Sequence, residues 1–144
     1  METPKSGTIR NTFRKTGFLF QENRLPENLT AMQNIAIFMD KPDEGEIIAL
    51  AAKVGLTAGD LNKYPTELSG GMAKRVAFLR LLLCGCDLAL LDEPFVGLDR
   101  DLRDILVAML VEKIELLLST KGMNVQNVIT LPTPLSKRDS AFEE

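Results

Sequence analysis

The chain has 144 residues, 45% hydrophobic and 26% charged, with a net charge of −3. That length suits one domain with a real core, and without any basic stripe the composition argues against nucleic acid as a partner. Arg80, Asp87, Glu112 and Glu115 interrupt the longest apolar stretches, so none reaches the roughly 20 apolar residues a membrane span needs.

In chain order, Gly17 to Phe20 reads as a strand closed by Gln21, and Glu22 to Leu29 as a surface loop kept irregular by Pro26. From Thr30 to Leu61 the pattern is helical: Met32, Ile35, Ala36 and Met39 recur at helical spacing, and Asp40 to Asp43 with Pro42 breaks the run. A second helix over Asp43 to Val54 has Asp43 as its cap and Gly55 as its stop. The methionines here read as core filling.

The densest stretch is Tyr64 to Asp99. Ser69 is a good N-cap, and Gly70 and Gly71 let a backbone approach a ligand without Cβ obstruction. Met72 to Leu83 then reads as a helix with Val76, Leu79 and Leu83 on one face and Lys74 and Arg75 off it. Free amides and the positive end of the dipole make such an N-terminus an anion site, although a Gly-Gly turn alone is equally a plain helix entry. Cys84 and Cys86 are the two cysteines, and the chain has no histidine. That argues against zinc, a disulfide at this spacing would be strained, and two buried small hydrophobes is the preferred reading.

Leu88 to Leu91 is a continuous apolar run suited to a strand buried on both faces of a parallel sheet. It ends in Asp92-Glu93, at the carboxyl end where such sheets place ligands. One carboxylate can hold Mg²⁺, and its neighbour can orient or deprotonate an attacking water. Pro94 ends the strand, and Gly97-Leu98-Asp99 forms a short acidic loop. A helix from about Asp101 to Leu118, a turn at Lys121-Gly122 and a strand from Val125 to Leu131 complete the chain.

These pieces resemble the nucleotide-binding subunit of an ATP-binding cassette (ABC) transporter. Leu68-Ser69-Gly70-Gly71-Met72 is similar to the family's signature loop and Leu88 to Glu93 to its Walker B strand. Gly97-Leu98-Asp99 is similar to its D-loop and Gln21 to its Q-loop glutamine. Gln21-Glu22-Asn23-Arg24-Leu25-Pro26 with Leu29-Thr30 looks most like the nitrate, sulfonate and taurine importers. The resemblance implies a partial P-loop NTPase fold of the α/β class, with a parallel sheet core over 1–21 and 68–144 and an inserted helical subdomain over 22–67. It also implies ATP and Mg²⁺ as ligands. Glu93 and Gln21 would be catalytic, Asp92 and Gln21 would hold the metal, and Ser69, Gly70, Gly71 and Asp99 would contact nucleotide. Implied partners are a second ATP-binding subunit in a dimer and transmembrane permease subunits, which would hold the chain at the cytoplasmic face of the cell membrane.

Two departures qualify the resemblance. No Gly-x-x-x-x-Gly-Lys-Ser/Thr occurs in the sequence, and Pro4 to Ile9 resembles the turn and strand that follow the first helix after that loop. The reading is therefore of an N-terminally truncated subunit, unable alone to bind or hydrolyse ATP and poorly covered along its sheet. The family's switch histidine is also missing. Either Leu131 stands at its position, or Leu131-Pro132-Thr133-Pro134 onward resembles the C-terminal tail and an internal segment holding the histidine is deleted. The alternatives are a decayed, non-enzymatic product and a chain that completes another subunit's ATP site. A chromosome-maintenance ATPase would show long heptads, which are absent here.

Overall fold

The structure, a computed structural model, describes residues 14–121 and 128–131. The elements run β1 (Thr16–Leu19), α1 (Ala31–Ala36), α2 (Glu44–Lys53), α3 (Ala58–Leu61), a 3-10 turn (Pro65–Glu67), α4 (Gly70–Leu83), β2 (Leu88–Asp92), α5 (Arg100–Lys121) and β3 (Val128–Leu131). The three strands form one parallel sheet in the order β1-β2-β3. β2 therefore has a partner on each edge, with Leu19 opposite Leu91 and Leu131 opposite Asp92. Among the described residues the unpaired outer edges of the sheet belong to β1 and β3.

The helices start where local chemistry starts them. Thr30 caps α1 in a reciprocal box with Gln33, Asp43 accepts from the Glu46 amide to open α2, and Thr57 and Asp60 form a second box at α3. Gly55, with φ of +72°, follows α2 in the left-handed region that ends helices. The expected first helix is shorter than its apolar spacing suggests. It stops at Ala36, and Met39 packs on the core from the following turn.

α4 departs furthest from its expected form. The spacing predicts a one-faced amphipathic helix; instead Val76, Ala77, Phe78, Leu79, Leu81, Leu82 and Leu83 are all buried. A helix apolar around its circumference belongs inside the structure. One side of α4 meets the sheet, and other sides meet α1 and α2. A single hydrophobic cluster joins Leu19, Ile35, Ile47, Leu61, Phe78 and Leu106 through it. The sheet-facing contact is close: a Cβ on Gly17 would lie 2.5 Å from Leu81 Cδ1, so any side chain there would force Leu81 or its neighbours to shift. On α5, Leu102, Leu106 and Met109 turn inward as their spacing predicts.

The expectations for Pro4 to Ile9, Gly122, Val125 to Asn127 and the segment after Leu131 lie outside the described residues.

Asn34 is the buried polar residue of this core, at 0% exposure. Its side-chain amide donates to the carbonyls of Pro26, Leu29 and Thr30 at 3.1, 3.0 and 3.0 Å. It thereby pins the end of the loop that begins after Gln21 to α1. Asn34→Ala removes all three bonds, although the Pro26 carbonyl keeps the Leu29 amide and the Thr30 carbonyl the amide of residue 34. It is expected to lower unfolding stability by about 2 kcal/mol, read by urea denaturation. A loss below about 0.5 kcal/mol would show that the loop is held elsewhere.

Candidate functional site

The Ser69–Gly71 turn opens α4. Ser69 is the N-cap, its hydroxyl accepting from the Met72 amide at 3.2 Å. Gly70 and Gly71 are the first two residues of the helix, which starts two residues earlier than the sequence pattern suggests. Space for an incoming group is open there: nothing lies within 4 Å of a Cβ built on Gly70, and on Gly71 only the Arg75 guanidinium does, at 3.9 Å. Arg75 donates weakly to the Gly55 carbonyl at 3.5 Å, and its Nε is buried without a partner. A cation beside exposed helix-start amides suits an anion.

The carboxylates lie at the far end of β2. Asp92 is its last residue, and Glu93 follows in the left-handed region, with φ of +47°. That conformation is rare for a residue with a side chain, and the following Pro94 further disfavours anything but extended backbone. Backbone strain of this sort costs about 1–3 kcal/mol and persists only where the surroundings enforce it.

What holds the turn is Lys74, one turn into α4. Its ammonium donates to the Val96 carbonyl at 2.5 Å and to the Glu93 carbonyl at 3.4 Å. Burial pushes the ammonium below the ordinary lysine range, while the Glu93 carboxylate works against that shift. Gly97, at φ of +77°, completes the reversal. Asp99 then accepts from the Leu102 amide at 2.9 Å and so starts α5. Helical periodicity places Lys74 and Arg75 off the apolar face and gives neither a role. The signal that would have found Lys74 is a cation three to five residues inside a helix that is otherwise apolar.

Gln21 lies in a bend two residues beyond the end of β1. α4 also governs this loop. The Arg80 guanidinium donates to the carbonyls of Arg24 and Asn23 at 3.0 and 3.1 Å, and burial pushes it below the ordinary arginine range. Arg24, at φ of +43°, stacks over the Phe20 ring at 4.1 Å. The structure thus brings the β1 and β2 carboxyl ends to one sheet edge and ties both following loops to α4. Leu131 stands beside Asp92 at the same edge.

As donors for a metal, these residues offer little by themselves. No group of three His, Cys, Asp or Glu side chains suited to an ion occurs among the described residues. Mg²⁺ is commonly held by one or two carboxylates together with phosphates and water, and Asp92 fits that arrangement only in company with a phosphate ligand. No helix among the described residues is long and apolar enough to cross a membrane.

The parallel sheet, the Ser-Gly-Gly helix start and the strand-end carboxylates define an ATP-binding cassette domain of the P-loop NTPase class. The profile of the ABC transporter family matches residues 1–96, and the chain belongs to that family. It is 41% identical over 107 residues to the thiamine import ATP-binding protein ThiQ of Haemophilus influenzae, covering 69% of this chain and 48% of that protein. It is 32% identical to the aliphatic sulfonates import ATP-binding protein SsuB of Bacillus cereus over 163 aligned positions, covering 94% of this chain and 65% of that protein. The second alignment is longer than the chain itself, so part of that relative has no counterpart here. The chain spans about half the length of the first curated relatives it matches. Among solved structures, the dimeric cassette MJ0796 in a post-hydrolysis state bound to ADP and Pi superposes with a TM-score of 0.63 at 24% identity. That match covers 85% of this chain and 53% of the other, and it shows the fold.

Lys74→Met keeps the apolar stem but leaves the Glu93 and Val96 carbonyls without their donor. It is expected to cost about 1–2 kcal/mol of unfolding stability, and hydrogen exchange of the 93–98 amides should speed up more than that of α2. Unchanged exchange at 93–98 would contradict the role given to Lys74.

Proposed function

We propose that the chain is the ATP-binding subunit, or part of the ATP-binding subunit, of an ABC-type importer, and that it supplies the signature side of an ATP site. The observation that carries this reading is the capped, unobstructed Ser69–Gly71 turn in a sequence without a Gly-x-x-x-x-Gly-Lys-Ser/Thr loop. The chain has a surface for the terminal phosphates but no loop to cradle them, so that loop must come from outside these 144 residues. In the cassette dimer implied by the resemblance, the signature turn of one subunit closes over nucleotide held by the other. This chain's own Ser69, Gly70, Gly71 and Asp99 would serve such a partner's site.

At the β2 end, Asp92 is the residue that would hold Mg²⁺ and Glu93 the base that would polarise a water, with Gln21 in the loop after the neighbouring strand β1. Bound Mg-ATP supplies the terminal phosphate and the charge that the metal offsets. The protein's part is to fix the carboxylates, which Lys74 does through the backbone on either side of Pro94. No histidine is present to sense the terminal phosphate. Leu131, beside Asp92, is one placement for it; the alignment longer than the chain favours the other, in which an internal segment of the relative is missing. The importer assignment rests on the relatives' functions, whose named solutes differ: thiamine, glucose and aliphatic sulfonates. Permease subunits would then carry the chain at the cytoplasmic membrane face.

Isothermal titration of Mg-ATP into the pure 144-residue chain distinguishes a self-sufficient site from a half-site. The expected result is no saturable heat. A micromolar Kd, about −8 kcal/mol of binding, would refute the half-site reading.

A further inference from the structure

The paired cysteines at the end of α4 have surroundings that small core hydrophobes do not need. Cys84 is the C-cap of α4, and the chain then reverses at Gly85, whose φ of +67° lies in the left-handed region. That turn brings the Cys86 side chain back beside Cys84. Both sulfurs press on the same glycine: a Cβ on Gly17 would lie 2.9 Å from Cys86 Sγ and 3.2 Å from Cys84 Sγ. Cys84 also lines a cavity of about 380 Å³, together with Lys15, Gly17, Phe38, Arg80 and Leu81. The neighbouring Cys86 thiol, and to a lesser degree Lys15 and Lys113, draw the Cys84 sulfur below the ordinary thiol range against the opposing effect of burial; Cys84 and burial drive the Cys86 thiol up.

We propose that Cys84 and Cys86 form a reversible oxidation site, with Cys84 the thiol attacked through the cavity and Cys86 the resolving thiol. The oxidant is a hydroperoxide. The Cys84 thiolate attacks one peroxide oxygen; an S–O bond forms, the O–O bond breaks, and the departing oxygen leaves as hydroxide or alkoxide. The Cys86 sulfur then attacks Cys84; the S–S bond forms, the S–O bond breaks, and the Cys86 proton leaves with the hydroxide as water. Two thiols are oxidised and one peroxide is reduced. The closed bond would fix the turn at the C-terminal end of α4. A strained three-residue ring is readily reduced by thiols, which makes the change reversible.

The test treats the full chain with hydrogen peroxide at pH 7 and follows intact mass and alkylatable thiols. The folded chain should lose about 2 Da, as a Cys84–Cys86 disulfide forms, and regain it with dithiothreitol. The reaction should run about tenfold faster than in the urea-unfolded chain, where both thiols have ordinary acidity. Cys86→Ser should accumulate a sulfenic acid on Cys84, about 16 Da heavier and captured by dimedone. Cys84→Ser should leave Cys86 unmodified over the same period. Circular dichroism establishes that each variant is folded, and the wild-type measurement stands without them. Equal rates in folded and unfolded chain, disulfides formed only between chains, or peroxide uptake at Cys86 ahead of Cys84 would each overturn the proposal.

Discussion

The position of α4 decides most of what this chain can do. Because it is apolar on nearly every side, it is buried between the sheet and the other helices, and its few cations have fixed targets. Lys74 reaches the backbone after β2 and Arg80 reaches the backbone after β1. The same helix presents Ser69, Gly70 and Gly71 at its exposed start. A displacement of that start would therefore be felt at Glu93 through Lys74 and near Gln21 through Arg80. The physical route is a rigid element with charged hydrogen bonds at both loops, worth more than neutral bonds because each donor is cationic and partly desolvated.

Glu93 shows what that connection sustains. A left-handed residue directly before a proline is a conformation the local sequence disfavours. It persists because two carbonyls of the turn converge on one ammonium and because Asp99 starts α5 immediately afterwards. The strained turn carries the backbone out of β2 at Glu93. It is the kind of outlier expected where a side chain must be placed for chemistry rather than for packing.

Much of this was legible in the residues. Asp43, Ser69 and Gly55 announce helix ends by side-chain chemistry that acts locally, and the apolar run Leu88 to Leu91 announces a parallel-sheet strand. Less visible were features set by distant partners. The all-round burial of α4 depends on what the sheet and α1 bring to it, so a periodicity search picked out a single face. The tie from Lys74 to Glu93 and Val96 spans about twenty positions and has no pattern in sequence. The close fit at Gly17 is likewise decided by Leu81, Cys84 and Cys86, far along the chain. The motifs, by contrast, point to function because their residue types and order are tied to phosphate and metal chemistry rather than to packing.

The central claim is that this chain lends an open signature turn to nucleotide held elsewhere. The direct measurement is its association with an intact ATP-binding subunit carrying its own phosphate loop and a Glu-to-Gln change at its catalytic base, followed by analytical ultracentrifugation with and without Mg-ATP. A one-to-one complex that forms only with ATP, and is lost in the Ser69→Arg variant of this chain, is the predicted result. Absence of a complex, or a complex indifferent to both ATP and Ser69→Arg, would contradict the claim.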